Sequence, residues 1–207
     1  AQKTTLFMGG IAHLGNGTII ENSVISIKDG KFDLIGDANR IRIDPTAFDT
    51  IIRVYGKHIY PSFISPNTTL GITEIDQVRA SKDYNEVGNF NPNVRSQIAY
   101  NTDSKIIKTV RTNGVLITQT TPRGGVISGL SSVMYLDGWN WEDATLKAND
   151  GIHLNWPFSF NTSGWWAEPG PTSKNKKYDD RVKEIKNYFE IAKSYSQDDS
   201  KIDLELE

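Results

Sequence analysis

Few residues in this chain carry side chains suited to covalent or metal chemistry. There is no cysteine, which removes thiol nucleophiles, disulfides and every Cys-based zinc or iron–sulfur site at once. A metal would need histidine and carboxylate ligands, yet only His13, His58 and His153 exist, and no two lie within a turn of each other in sequence. A self-contained His-rich site is therefore not expected. His13 and His58 fall in strand-like sequence and read as structural. His153, within Gly151-Ile152-His153-Leu154-Asn155, reads either as a core or loop histidine or as a ligand. Arg123 follows Pro122 and precedes Gly124-Gly125. There a guanidinium could grip a carboxylate or an amide oxygen in a bidentate fork, or only form a surface ion pair. Asn101 and Asp103 stand just before a predicted helix, so capping competes with site lining.

The five tryptophans, Trp139, Trp141, Trp156, Trp165 and Trp166, could be platforms for sugar rings or anchors in a partner. The plainer alternative packs Trp139 and Trp141 against a helix and uses the others to close a loop. No phosphate-cradling loop, Ser-His-Asp signature or basic aromatic surface competes with these readings. The 207 residues hold 23 basic against 25 acidic side chains, for a net charge of −2. Nothing in that balance implies a nucleic acid or an anionic membrane surface. No apolar run approaches the ~20 residues of a membrane span, and no charged start followed by an apolar stretch marks a signal peptide. The chain opens Ala1-Gln2-Lys3 with no methionine, the form left when a leader is cleaved or a chain is trimmed. A periplasmic or secreted protein is expected on that basis, with the cytoplasm as the alternative.

The elements that must position these residues change character near Pro61. Before it, Ser23 to Lys28 alternates polar and apolar, Asp29-Gly30 supplies a two-residue hairpin turn, and Lys31 to Gly36 alternates back. Thr5 to Met8 and Gly17 to Ile20 flank a turn at Asn16-Gly17, and Thr50 to Val54 leads through Gly56 to His58-Ile59-Tyr60-Pro61. After Pro61, helices are expected to alternate with short strands. Thr102 or Asp103 would cap a helix with Ile106, Ile107 and Val110 on one face, Asn113-Gly114 would stop it, and Val115 to Thr120 would follow as a strand. That succession is half of a βαβ repeat. Ser132 to Leu136 is a further strand, and Asp179 or Asp180 would open a helix with Val182, Ile185, Phe189, Ala192 and Tyr195 on one side. Between them, Asn155 to Lys177 reads as a long surface excursion, and Lys174 to Lys177 as a solvated face.

The run Asn22 to Gly36, together with Gly56-Lys57-His58-Ile59-Tyr60-Pro61-Ser62-Phe63-Ile64, resembles the N-terminal part of the amidohydrolase superfamily, in its imidazolonepropionase-like and dihydroorotase-like branch. Asn113 to Thr118 and Pro122, with Gly124 to Gly129, looks similar to the same family. The resemblance implies an α/β fold: a composite β-sandwich over residues 1–60, then the first half of a (β/α)8 TIM-type barrel over 61–207. It also implies hydrolysis of non-peptide C–N bonds in a cyclic amide or related small molecule. Metal-dependent members follow the Pro-Gly-Phe-Ile run with Asp-x-His-x-His. Here Ser62 replaces the glycine, Ser65 the aspartate, Asn67 the first histidine and Thr69 the second. Neutral amide and hydroxyl oxygens are poor zinc ligands, so a two-metal site is expected to be absent or crippled.

A closed barrel takes about 250 residues, and the ~145 left after the sandwich make about half of one at ~30 residues per βαβ unit. The expected partner is thus the C-terminal half of the same barrel or an identical chain, since an open half barrel exposes strand edges. No cofactor is expected from this chain itself, any zinc being held by that other half. No catalytic residue is assigned. Asn67, Thr69, Asn101, Asp103 and Arg123 are the candidate substrate-binding residues, with Asn67 and Thr69 at the end of the first barrel strand, lining a pocket or remaining as relics packed by hydrogen bonds. The alternative to an enzyme is a pseudoenzyme: a binding or assembly subunit for a small ligand or carbohydrate.

Overall fold

Asp29 and Gly30 both adopt positive φ, +50° and +74°, as a type I′ turn requires. The alternating sequences on either side therefore fold back on each other as β2 (Ile19–Lys28) and β3 (Lys31–Asp37). The structure is a computed structural model that describes residues 4–197 and residue 203. Ala1-Gln2-Lys3, which prompted the expectation of export, lie outside the described residues. The chain divides into two compact units, Ala1–Ser62 and Phe63–Glu207.

In the first unit, β1 (Thr4–His13) pairs antiparallel with β2 and parallel with β4 (Thr50–Arg53) and β5 (His58–Ile59). The described residues of this unit form one five-stranded sheet, β3-β2-β1-β4 with β5 also on β1. Its buried apolar side chains are Leu6, Ala12, Val24 and Ile25. Ser23 is buried as well, and its hydroxyl is satisfied by donating to the Gly10 carbonyl at 2.7 Å.

The second unit is built on a four-stranded sheet ordered β6-β7-β8-β9, comprising β6 (Phe63–Thr68), β7 (Val115–Thr120), β8 (Ile127–Tyr135) and β9 (Thr145–Leu154). A long crossover containing helix α1 (Lys105–Thr112) returns the chain so that β7 lies parallel to β6. Ser104 caps α1, its hydroxyl accepting from the Ile106 amide at 3.3 Å, in place of the expected Thr102 or Asp103. Those two residues are taken up by the preceding turn, in which the Asn101 side chain accepts from the Asp103 amide at 3.0 Å. Gly114, at φ +83°, ends the helix as predicted.

Beyond β7 the expected alternation of helix and strand gives way to a meander. β8 is antiparallel to β7, and β9 is antiparallel to β8. The reason is the length of the connections: residues 121–126 are too few for a parallel crossover, which takes a dozen or more residues, and residues 136–144 hold only the single turn α2 (Trp141–Ala144). The stretch read as a surface excursion contains a hairpin, β10 (Phe160–Trp165) with β11 (Glu168–Lys174). It leads into α3 (Tyr178–Tyr195), whose fully buried residue is Ile185. The molecule is thus mixed α/β, with most of its regular structure in strands.

The core of the second unit joins Tyr100, Ile107, Met134, Leu136 and Ala144, with Leu70, Val110, Val115 and Trp141 packed against it. Trp141 serves as the plainer reading had it, whereas Trp139 is 91% exposed. Ile107 anchors α1 to this core, so Ile107→Ala should cost about 2–5 kcal/mol. Ile106→Ala, at a 37% exposed position of the same helix, should cost distinctly less; urea denaturation of the two variants checks the ranking.

Candidate functional site

At the ends of β6 and β7 and along β9, polar side chains form one connected network. Gln119, near the end of β7, is its hub. Its side-chain oxygen accepts from the Asn67 amide at 3.1 Å, and its side-chain nitrogen donates to Asp150 Oδ2 at 2.8 Å and to Ser131 Oγ at 3.3 Å. Asp150 reaches this point through an irregularity in β9. Ser131 pairs with Gly151 and Val133 with Lys147, so residues 148–150 bulge out of the ladder, with Asn149 at φ +50°. Lys147 closes on the other carboxylate oxygen at 2.7 Å. Arg123 lies in the loop after β7 and donates from Nη2 to the Asn67 carbonyl at 2.7 Å. Asn67 itself takes φ +53°, a conformation that asparagine tolerates better than most residues.

The glycine-rich loop carrying Arg123 serves close packing. The Arg123 amide donates to the Tyr84 carbonyl at 2.6 Å, and the Val126 and Ile127 amides to the Asn89 carbonyl. A Cβ on Gly125 would meet that same carbonyl at 2.9 Å, and φ there is +59°, so glycine is required. Asn155 clamps the loop from β9, donating to the Gly124 and Gly125 carbonyls and to Ser128 Oγ.

Electrostatics differ along the network. Hydrogen bonds from Lys147 and then Gln119 hold the Asp150 carboxyl below the usual carboxylate range. Burial, and then the positive charge of Arg123, push His153 below its ordinary value, while Asp150 pulls it partly back. His153 is thus a neutral imidazole at neutral pH, able both to donate and to accept. With Arg123 it gives the cluster one fixed cation and one neutral donor–acceptor, a set suited to a carboxylate, amide or carbonyl oxygen.

Of the candidate binding residues, Asn67 and Arg123 are brought together. Thr69 instead lines an open cavity of about 410 Å³ with Ser65, Thr68, Thr73, Glu74 and Ile106 among others. The buried Thr73 hydroxyl there has no hydrogen-bond partner among the described residues. Asn101 donates to Glu74 Oε1 of this cavity at 3.2 Å and also makes the turn with Asp103, so both Asn101 and Asp103 have structural work. Gln119, Asp150, Lys147 and Asn155 were not singled out from sequence. An alternating Thr-Gln-Thr at a strand end was the available signal for Gln119; the bulge that aims Asp150 has none. A further cavity of about 410 Å³ lies between the glycine loop and α3, lined by Asn155, Trp156, Phe158, Arg181 and Glu184 among others.

The metal-binding histidines of the resembled family would stand at Asn67 and Thr69. With Ser65 these positions offer only neutral oxygens, and the Asn67 backbone is already engaged by Arg123 and Gln119. Among the described residues no three His, Cys, Asp or Glu side chains come together. The donor set does not fit zinc.

The network sets the pH response. The folded pKa of Asp150 is depressed, so its contribution to stability is full above the unfolded value of ~3.9 and is lost as pH falls through the folded value. The folded pKa of His153 is also depressed, so stability declines as pH drops below ~6.5, where the unfolded chain takes up the proton first. In an NMR titration of the His153 ring, Arg123→Gln should raise the midpoint and Asp150→Asn should lower it further. Unchanged midpoints in both variants would refute this electrostatic assignment.

No family model matches the chain, and no curated protein matches it. Solved structures do. An amidohydrolase from Thermotoga maritima superposes on 98% of this chain with a TM-score of 0.76 at 18% sequence identity, using 53% of its own length. The chain therefore spans about half the length of that protein. The ochratoxinase of A. niger matches over 39% of this chain and 18% of its own, at 20% identity and a TM-score of 0.31, too slight a similarity to build on. The fold of this chain is similar to that of about half of an amidohydrolase.

Proposed function

We propose that this chain is the N-terminal half of an amidohydrolase-like hydrolase acting on a non-peptide C–N bond in a cyclic amide or related small molecule. The observation that carries the reading is the fold similarity, which covers 98% of this chain and 53% of the Thermotoga protein. In this reading residues 1–60 belong to a composite β-sandwich and the parallel β6, α1 and β7 within 61–207 to the first part of a (β/α)8 barrel, from which the antiparallel β8 and β9 depart. A complementary polypeptide, the C-terminal portion of the same protein or a second copy, supplies the rest. It would also hold any zinc and the groups that activate water, because Ser65, Asn67 and Thr69 do not suit a metal.

The residues of this chain then bind and orient the substrate. Arg123 presents its guanidinium beside Asn67 and can take a carboxylate or amide oxygen in a bidentate grip. Neutral His153 can donate to or accept from a ring nitrogen or carbonyl. Lys147, Asp150 and Gln119 hold the frame, which matters because small misplacements of a bound substrate cost large factors in rate.

A second reading is favoured by the neutral donors at the strand end: a catalytically inactive subunit that keeps the scaffold and binds a small ligand. The two readings separate by experiment. Intact-mass spectrometry under denaturing conditions, on natively purified protein, should reveal a second polypeptide beside the 23.2 kDa chain. The assembled protein should turn over members of a cyclic-amide panel in a chelator-sensitive way, and Arg123→Ala should lower kcat/KM by about 100-fold. A lone 23.2 kDa species that binds panel members without turning them over would overturn the hydrolase reading in favour of the binding subunit.

A further inference from the structure

Two histidines separated by 45 residues in sequence meet in the first unit. In the parallel pairing of β1 with β5, Ile11 lies opposite His58 and Ala12 opposite Ile59. Side chains two apart along a strand share a face, so Ile11, His13, His58 and Tyr60 stand on the same side of the sheet. His13 Nε2 and His58 Nδ1 are 2.9 Å apart. The Tyr60 ring stacks on His13 with centroids 4.3 Å apart and planes 12° from parallel, and the two imidazoles are themselves stacked at 5.2 Å. His58 is exposed and His13 half-buried.

We propose that His13 and His58 form a two-imidazole site for a single divalent transition-metal ion of the Cu2+ or Ni2+ type. The ligand type carries the metal class. The 2.9 Å contact places two imidazoles side by side, imidazole suits Cu2+ and Ni2+, and tetragonal or octahedral ions of this kind take nitrogen ligands at adjacent positions. In the metal-free pair one nitrogen donates its proton to the other's lone pair. On loading, both lone pairs face the ion, with His13 protonated at Nδ1 and His58 at Nε2. A tautomer shift within the pair frees the second lone pair. The rings must turn so that the lone pairs converge, which exposed His58 is free to do, while the stacked Tyr60 ring keeps His13 in place. Among the described residues no third His, Cys, Asp or Glu completes the group. Water would fill the remaining positions, making this a surface site with a labile, exchangeable ion.

The site lies apart from the substrate reading above, in a different unit, and stands or falls separately. Titrating the protein with Cu2+ in a non-coordinating buffer should give electron paramagnetic resonance hyperfine structure from two imidazole nitrogens. The same ion should broaden the ring-proton signals of His13 and His58. Both readouts use the unaltered protein, so neither depends on a variant folding. His58→Gln, which can keep a hydrogen bond to His13, should weaken binding by about tenfold or more, and Tyr60→Phe, which keeps the stacked ring, should leave it unchanged. A signal without two imidazole nitrogens, or affinity unaltered in folded His58→Gln, would overturn the assignment.

Discussion

The side-chain amide of Gln119 ties together all four strands of the second unit's sheet. From β7 it accepts from the Asn67 backbone at the end of β6 and donates to Ser131 on β8 and Asp150 on β9. A primary amide has two donors and a carbonyl with two lone pairs, and here both kinds of group are used. Removing it would leave the Asn67 amide and one Asp150 carboxylate oxygen without their Gln119 partner. The rest of the candidate site follows from that hub. With its amide held, Asn67 sits at φ +53° and turns its carbonyl to Arg123. With Asp150 held, Lys147 has a fixed partner, and His153 feels opposing charges from Asp150 and Arg123.

Such a site is built from neutral donors and acceptors with a few fixed charges, and that composition decides its chemistry. Hydrogen-bonded amides and a guanidinium recognise organic oxygen and nitrogen atoms by direction, whereas a zinc ion needs imidazole, thiolate or carboxylate. Ser65, Asn67 and Thr69 supply none of these. Two of the histidines meet on the first sheet, His13 with His58, and His153 stands on β9, where the charges of Arg123 and Asp150 reach it. The residues proposed to bind an organic ligand and those proposed to hold an ion thus belong to different units of the chain.

Connection length shapes the second unit as strongly as strand pattern. The segment between β6 and β7 is long enough to hold a helix and bring the next strand back parallel. The short links after β7 and β8 can only reverse the chain. The glycine loop is the first of these links, and its tight backbone hydrogen bonds to Tyr84 and Asn89 set where Arg123 emerges. The same brevity leaves β9 next to β8, and Asp150 of β9 reaches Gln119 of β7.

Local chemistry was legible wherever a single segment decided it. The Asp29-Gly30 turn with its flanking strands, the stop at Gly114, the strand after it and the C-terminal helix all follow from alternation, helical period and the backbone freedom of glycine. That the chain holds no His-x-His sequence was equally plain, because it is a property of residue types alone. Pairings between distant segments were not legible. The contact of His13 with His58 depends on a parallel register between strands 45 residues apart, and the position of Asp150 depends on a bulge defined only by its partner strand. Asn101 and Asp103, read as possible site residues, were claimed by a turn and by Glu74. One-dimensional pattern determines which elements form and which donors exist; three-dimensional register, set by packing and by the length of the links, decides which donors meet.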